Sequence, residues 1–104
     1  MKILVSDDSE LIDLECQMKG IRHDIVLEVY GKYYMLDVEE IIDVKQFILR
    51  NPQYSYEINL LIVNDVSLKN IIEVIKYNVK HKRYLDMNPG TNCDISDWKV
   101  IYSE

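Results

Sequence analysis

The segment 25–38 constrains the fold more than any other part of this chain, because it consists of two alternating strands around a turn. It has the sequence IVLEVYGKYYMLDV. Gly31 and Lys32 fit the two central positions of a tight hairpin turn, where glycine readily supplies a positive φ. Such a turn would place Leu27 opposite Leu36 and give the hairpin one almost wholly apolar face. The segment therefore predicts an antiparallel hairpin.

The other face of this hairpin combines carboxylates with large amphipathic side chains. Its members are Asp24, Val26, Glu28, Tyr30, Tyr33, Met35 and Asp37. Residues 10–16 also alternate between polar and apolar, which predicts a strand with Asp13 and Glu15 on its exposed side. Together with the hairpin this strand would form a meander over residues 10–38. We therefore predict one binding surface with these members: Asp13, Glu15, Asp24, Glu28, Tyr30, Tyr33, Met35 and Asp37.

Outside the meander, the pattern predicts three more strands and two helices. Residues 2–5 are expected to form an edge or terminal strand, and residues 98–102 a closing strand. Glu39 and Glu40 suit the first turn of a helix of about ten residues, which Asn51 and Pro52 would end.

The run 60–63 is apolar on both sides, which predicts a central strand covered on both faces. Parallel pairing with residues 33–38 is one arrangement open to this strand. The preceding helix would then be a right-handed crossover. Ser67 is placed to cap a second helix. The expected fold is α+β or α/β: a single domain over residues 1–104, with a mixed, mostly antiparallel sheet of five to six strands and two helices.

The charge of the chain favours a basic partner over nucleic acid. Eighteen acidic and twelve basic residues give a net charge of −6, and residues 1–65 alone carry thirteen acidic and six basic residues. Such a surface repels phosphates, so we expect no direct nucleic-acid partner. No apolar run reaches the roughly 18 residues of a membrane helix, and the acidic start does not fit an export signal. We expect a cytoplasmic protein without a membrane partner.

The second predicted helix offers an alternative binding face. An apolar stripe would face the core, and a basic stripe would lie beside it, formed by Lys69, Lys76, Lys80 and Arg83. Such a stripe is usually solvated, but it is also compatible with a regulatory or structural binding module whose helix 68–83 contacts a protein or RNA.

Catalytic and metal-binding patterns are weak in this sequence. Cys93 and His81, with Asp94 or Asp97, have the residue types of a nucleophile, a base and an orienting acid, which leaves a small enzyme as a further alternative. Cys16 and His23 add to the possible metal ligands, yet the spacing lacks any paired Cys or His motif. We predict that the chain is not an enzyme and has no metal or other cofactor.

Two segments resemble a known group of proteins. YYMLDVEEII, a strand entering a helix, and LLIVNDVSLKNIIEVI, a strand followed by a capped helix, lie within residues 30–85. This arrangement resembles the small immunity proteins of bacterial toxin systems, including contact-dependent growth inhibition. The resemblance implies a protein that binds and neutralises one cognate toxin domain, often a nuclease, without catalysis of its own. An acidic, tyrosine-bearing face suits such a basic partner, and the leading hypothesis is therefore an immunity protein.

Overall fold

The hairpin lies at the centre of a mixed sheet in the computed structural model of the chain, which describes residues 1–41, 59–90 and 94–104. Within these residues the strands are β1 (Lys2–Val5), β2 (Ile21–Val29), β3 (Lys32–Glu40), β4 (Asn59–Val63) and β5 (Lys99–Ser103). They are ordered β4-β3-β2-β1-β5, and β3 and β4 are parallel whereas the other neighbours are antiparallel. Two helices, α1 (Glu10–Lys19) and α2 (Leu68–Lys80), complete an α+β fold.

The predicted strand over residues 10–16 is wrong, because this segment belongs to helix α1. Ser9 caps the helix: its Oγ accepts a hydrogen bond from the backbone N–H of Ile12 at 3.3 Å. Gly20 ends it in the left-handed region, with φ 73°, and donates to the carbonyl of Cys16. The meander over 10–38 is therefore also wrong. Strand β1 takes the place beside β2 that this segment was expected to fill.

The hairpin is confirmed, but its turn begins one residue earlier than predicted. Tyr30 and Gly31 occupy the two central positions with φ of 50° and 74°, the signs that a type I′ turn requires. Leu27 consequently lies opposite Tyr34 instead of Leu36. The change moves each partner by two residues, which leaves the side chains of residues 25–29 and 33–36 on their predicted faces, whereas Tyr30 lies in the turn.

Two strands occupy positions that differ from the prediction. Strand β1 is internal, between β2 and β5, although an edge or terminal position was expected. Strand β4 was expected at the centre but lies at the end of the described sheet, and Ile62 is 49% exposed. It pairs parallel to β3, which is the arrangement that a crossover between the two strands requires. Glu39 and Glu40 belong to β3, not to a helical first turn. The predicted helix beyond Ile41 lies outside the described residues, as does its crossover.

The core lies between the sheet and α2. Ile3, Leu27 and Leu36 are fully or almost fully buried and pack with Ile71 and Ile75, as the predicted apolar stripe of α2 requires. The Ser67 cap and the closing strand are confirmed as well. We call this side of the sheet the core face and the opposite side the open face. Among the described helices, none combines the length and the apolar composition needed to cross a membrane.

Candidate functional site

The open face carries four of the predicted binding residues. Glu28 and Tyr33 are direct cross-strand partners, and Met35 and Asp37 follow on the same side of β3. Tyr33 is 37% exposed and Met35 is 38% exposed. Neither side chain belongs to the hydrophobic core. An exposed aromatic ring and a thioether between two carboxylates form a surface that can bury apolar area and pair with cations.

The open face is not exposed over its whole width. Val26 was predicted for this face and lies on it, yet it is fully buried, and Leu4 of the neighbouring β1 is only 7% exposed. The accessible part of the face is therefore on the β3 side, where Tyr33 and Met35 lie.

Tyr30 extends this surface beyond the ends of the strands. It is 86% exposed at the hairpin turn, and its ring centroid lies 6.2 Å from that of Tyr84. Tyr84 is buried and also meets the ring of Tyr34 edge-on at 6.2 Å. Burial raises the pKa of Tyr84, and the neighbouring Tyr30 and Tyr34 raise it further. The exposed turn is thus connected to the core by a row of three aromatic rings.

The backbone under Tyr33 and Met35 is held by a segment that follows α2. Gly90 donates its N–H to the carbonyl of Tyr33 at 2.7 Å. The Asn59 carboxamide donates to the carbonyls of Met35 at 3.1 Å and Asn88 at 2.8 Å, and it accepts from the N–H of Asn88. These bonds satisfy the backbone carbonyls of Tyr33 and Met35, which precede the part of β3 that pairs with β4. They hold the backbone that carries the two exposed side chains.

Asp13 was predicted on the same surface, but it lies on α1 and has a structural role. Its Oδ1 accepts from the backbone N–H of Leu68, the first residue of α2, at 2.9 Å. Its Oδ2 accepts from the Gln17 side chain at 3.2 Å, and Oδ1 is 3.7 Å from Arg22 Nη1. A carboxylate at a helix N-terminus is favoured by the free N–H groups there. Asp13 therefore joins α1 to α2.

Asp24 is likewise occupied by internal partners. It lies in the irregular part of β2, where the register shifts between Arg22 and Ile25, and it accepts from Arg22 Nε at 2.8 Å and from Ser6 Oγ at 2.6 Å. Burial disfavours the charged form, but the bonds from Arg22 and Ser6 outweigh it and lower the pKa of Asp24 below its ordinary value. Its contacts leave it little capacity for an external cation.

Arg22 is a key residue that the sequence reasoning missed. Its side chain is 0% exposed, and Nη2 also donates to the carbonyl of Asp7. Nη1 is buried and has no hydrogen-bond partner, since Asp13 lies 3.7 Å away. One feature of the sequence indicates this role: Arg22 is the single arginine of β2, and the side of this strand that faces the core is otherwise apolar.

The four residues of the predicted basic face do not all lie on α2. The helix ends at Lys80, so the expected span 68–83 is too long, and Arg83 starts a separate 3-10 helix. Lys69 and Lys80 are exposed. The Nζ of Lys76 lies 3.6 Å from Oε1 of Glu73 and 5.1 Å from the ring centre of Tyr102. The Cζ of Arg83 lies 5.5 Å from the ring centre of Tyr77. Two of the four cations thus already have partners within the chain.

An apolar stripe lies on the exposed side of α1, in the segment for which the alternating pattern predicts a strand. Leu11 is 66% exposed, Leu14 is 50% exposed and Met18 is 88% exposed. Glu15, predicted to join the sheet surface, lies on α1 beside them and is also exposed. The spacing i, i+3, i+7 would have indicated one side of a helix.

His81 and Asp94, two of the residues considered for catalysis, contact other groups in the described chain. The ring centroid of His81 lies 4.2 Å from that of Tyr77, with the rings tilted by 42°, and Asp94 accepts from Ser96 Oγ at 2.9 Å. Cys93 lies outside the described residues. Burial raises the pKa of the Cys16 thiol, which disfavours the reactive thiolate. Residues 1–41, 59–90 and 94–104 also contain no cluster of three or more potential metal ligands.

Comparison of the chain with models of known protein families, with curated proteins and with solved structures finds no match in any of the three.

Proposed function

We propose that this chain is an immunity-type binding protein that neutralises a cognate bacterial toxin domain without catalysis of its own. The hairpin surface, formed by Glu28, Tyr30, Tyr33, Met35 and Asp37, binds a basic region of the toxin. The observation that supports this most directly is the exposure of Tyr33 and Met35 on the same sheet face as Glu28 and Asp37. The resemblance of the segments 33–42 and 60–75 to immunity proteins is a separate argument for the same function.

The chemistry of the hairpin surface favours a protein partner with exposed lysine and arginine. Glu28 and Asp37 supply negative charge on a chain whose net charge is −6, which accelerates the encounter with a basic domain. Tyr30 and Tyr33 supply large contact areas at low entropy cost, as anchors in a binding interface do. A basic nuclease domain has the complementary charge, and its active site would be masked by the bound hairpin.

Three residues of the binding surface predicted from the sequence do not belong to the hairpin surface. Asp13 and Asp24 each bind groups within the chain, and Glu15 lies on α1. The carboxylates expected to pair with the toxin are therefore Glu28 and Asp37.

The test is a rescue experiment with the product of the gene adjacent to the one that encodes this chain. That product is expressed from an inducible promoter, with and without this protein, and surviving cells are counted. We expect the wild-type chain to restore growth and the double variant E28K/D37K to fail. The control D86K/D97K changes the net charge equally at two exposed sites outside the hairpin surface and should still rescue. A wild-type chain that gives no protection rejects the immunity function.

Purified components test which surface is used. Charge reversal at Glu28 and Asp37 should slow association and reduce its dependence on salt, whereas D86K/D97K should do so much less. Unchanged association kinetics in E28K/D37K would exclude the hairpin surface even if the toxin is neutralised.

A second candidate is a regulatory or structural module that uses α2, and it is favoured by the exposure of Lys69 and Lys80. The two lysines are eleven positions apart, so they lie on one side of the helix at about 16 Å from each other along its axis. A gel-shift titration with RNA separates the two functions: binding that weakens steeply with salt and is lost in K69E/K80E supports the module.

A further inference from the structure

Helix α1 turns its most apolar side away from the protein. With about 100° between successive residues, Leu11, Leu14 and Met18 fall on one side, and we call these three residues the α1 stripe. Ile12 and Cys16 fall on the other side, where Cys16 packs against the core. No residue of α1 is buried, and the three members of the stripe are all at least half exposed.

The inner side of α1 is held mainly by polar contacts, so the stripe is not needed to attach the helix. Asp13 binds the start of α2 and Gln17, and it lies near Arg22, as described above. A helix that serves only to cover a core normally directs its leucines inward. Here two leucines and a methionine are left in solvent at the spacing of the anchors by which a helix enters a groove on another protein.

The charge around the stripe specifies the partner further. Residues 3–19 contain five carboxylates and one cation, Lys19, which is the last residue of α1. Asp13 is engaged within the fold, whereas Asp7, Asp8, Glu10 and Glu15 are exposed. An apolar stripe bordered by four exposed carboxylates fits an apolar cleft with a basic rim.

We propose that α1 is a second docking element, which inserts Leu11, Leu14 and Met18 into an apolar cleft of another protein, with lysine or arginine at the rim of that cleft. A second copy of this chain is a poor occupant, because it would bring two sets of exposed carboxylates together. The inference goes beyond the proposed toxin binding, since α1 and the hairpin surface share no residue.

The probe is a 21-residue amphipathic helical peptide with leucine on one side and lysine on its flanks. Two matched peptides carry glutamate in place of lysine, or serine in place of leucine. Binding is followed by fluorescence anisotropy, and the site is mapped by amide chemical-shift changes in the full chain. We expect the leucine–lysine peptide to bind and to shift the amides of α1, and both matched peptides to bind at least about tenfold more weakly.

The variant L14S/M18S tests the side chains directly. Both residues are at least half exposed, so the fold should be retained, which circular dichroism verifies. We expect its Kd for the leucine–lysine peptide to rise about tenfold or more, because the apolar area that the peptide covers is lost. The control L85S removes a leucine that is 65% exposed on the 3-10 helix, and its Kd should not change.

Several outcomes would overturn the proposal. These are equal binding of the leucine–glutamate peptide, chemical-shift changes outside α1, or an unchanged Kd in L14S/M18S. Self-association of the chain in sedimentation, abolished by L14S/M18S, would assign the stripe to a homodimer and also reject it. The variant E28K/D37K should bind the peptide as D86K/D97K does. The result for α1 therefore remains separate from success or failure of toxin neutralisation through the hairpin surface.

Discussion

Arg22 and Asp24 form an ion pair within one strand, with 2.8 Å between Nε of the arginine and Oδ1 of the aspartate. On a regular strand, residues two apart point to the same side of the sheet. Arg22 and Asp24 lie where the pairing of β2 with β3 is irregular, since the register shifts between Arg22 and Ile25. The guanidinium also binds the Asp7 carbonyl and lies near Asp13. One buried cation thus connects β2, the segment before α1 and α1 itself.

Removal of this cation should destabilise the fold strongly. In Arg22→Met the side-chain volume is largely retained, but Asp24 and Asp13 lose their partner in a partly desolvated environment, with side chains 25% and 23% exposed. We expect a loss of about 3 kcal/mol in the free energy of unfolding, measured by urea denaturation. The control Lys19→Met removes an exposed cation of α1 and should change stability by less than about 0.5 kcal/mol. Equal stability of the two variants would contradict this role of Arg22.

The depressed pKa of Asp24 predicts a specific dependence of stability on pH. A carboxyl whose pKa is lower in the folded state stabilises the protein above its ordinary pKa of 3.8, and this contribution is lost as the pH falls through the folded-state value. Asp24→Asn should therefore be less stable than wild type at neutral pH and should lose less stability between about pH 5 and about pH 2. Urea midpoints across this range measure the difference.

Asp7 provides the comparison for that experiment. The backbone N–H of Ser9 lowers its pKa, and the Ser9 hydroxyl acts in the same direction. Asp7→Asn should therefore also lose less stability than wild type as the pH falls from about 5 to about 2. If Asp24→Asn follows the wild-type profile in parallel throughout, the ion pair with Arg22 does not contribute through the charge of Asp24.

The hairpin could be predicted from sequence because its signals are local and agree with one another. Alternation over 25–29 and 33–38 assigned each side chain to the correct face, although the turn was placed one residue late. A glycine can occupy either central position of such a turn, and the sequence did not reveal that Tyr30 would accept a positive φ. Its ring contact with Tyr84 comes from a residue 54 positions away in the chain.

Helix α1 could not be found by alternation, because its apolar residues face both sides. Ile12, Leu14 and Cys16 alternate with two carboxylates in the sequence, which imitates the period of a strand. In the helix Leu14 is exposed, whereas Ile12 and Cys16 are partly buried. The cap signals at Ser9 and Gly20 were the better guide. Asp13 and Asp24 were assigned to a binding surface for a related reason: the sequence shows that a carboxylate is present, but only the tertiary structure shows that a buried arginine and a helix N-terminus bind it.

The structural role of Asp13 can be separated from any binding role. Asp13→Ala removes the acceptor for the Leu68 N–H and a neighbour of Arg22, so we expect the free energy of unfolding to fall by about 1–2 kcal/mol. Glu15→Ala on the exposed side of the same helix should change it by less than about 0.5 kcal/mol. Thermal and urea denaturation measure both. A neutral effect of Asp13→Ala would show that α2 does not depend on this carboxylate.

The hairpin turn offers a test of backbone conformation alone. A Cβ added to Gly31 would meet no atom within 4 Å, so Gly31→Ala introduces no clash, and its cost arises from φ +74°. We expect a loss of about 1 kcal/mol in the free energy of unfolding. Gly31→Asn should cost less, because asparagine tolerates the left-handed region better than alanine does. Both variants are measured by urea denaturation. Equal losses for alanine and asparagine would mean that φ at Gly31 does not determine the effect.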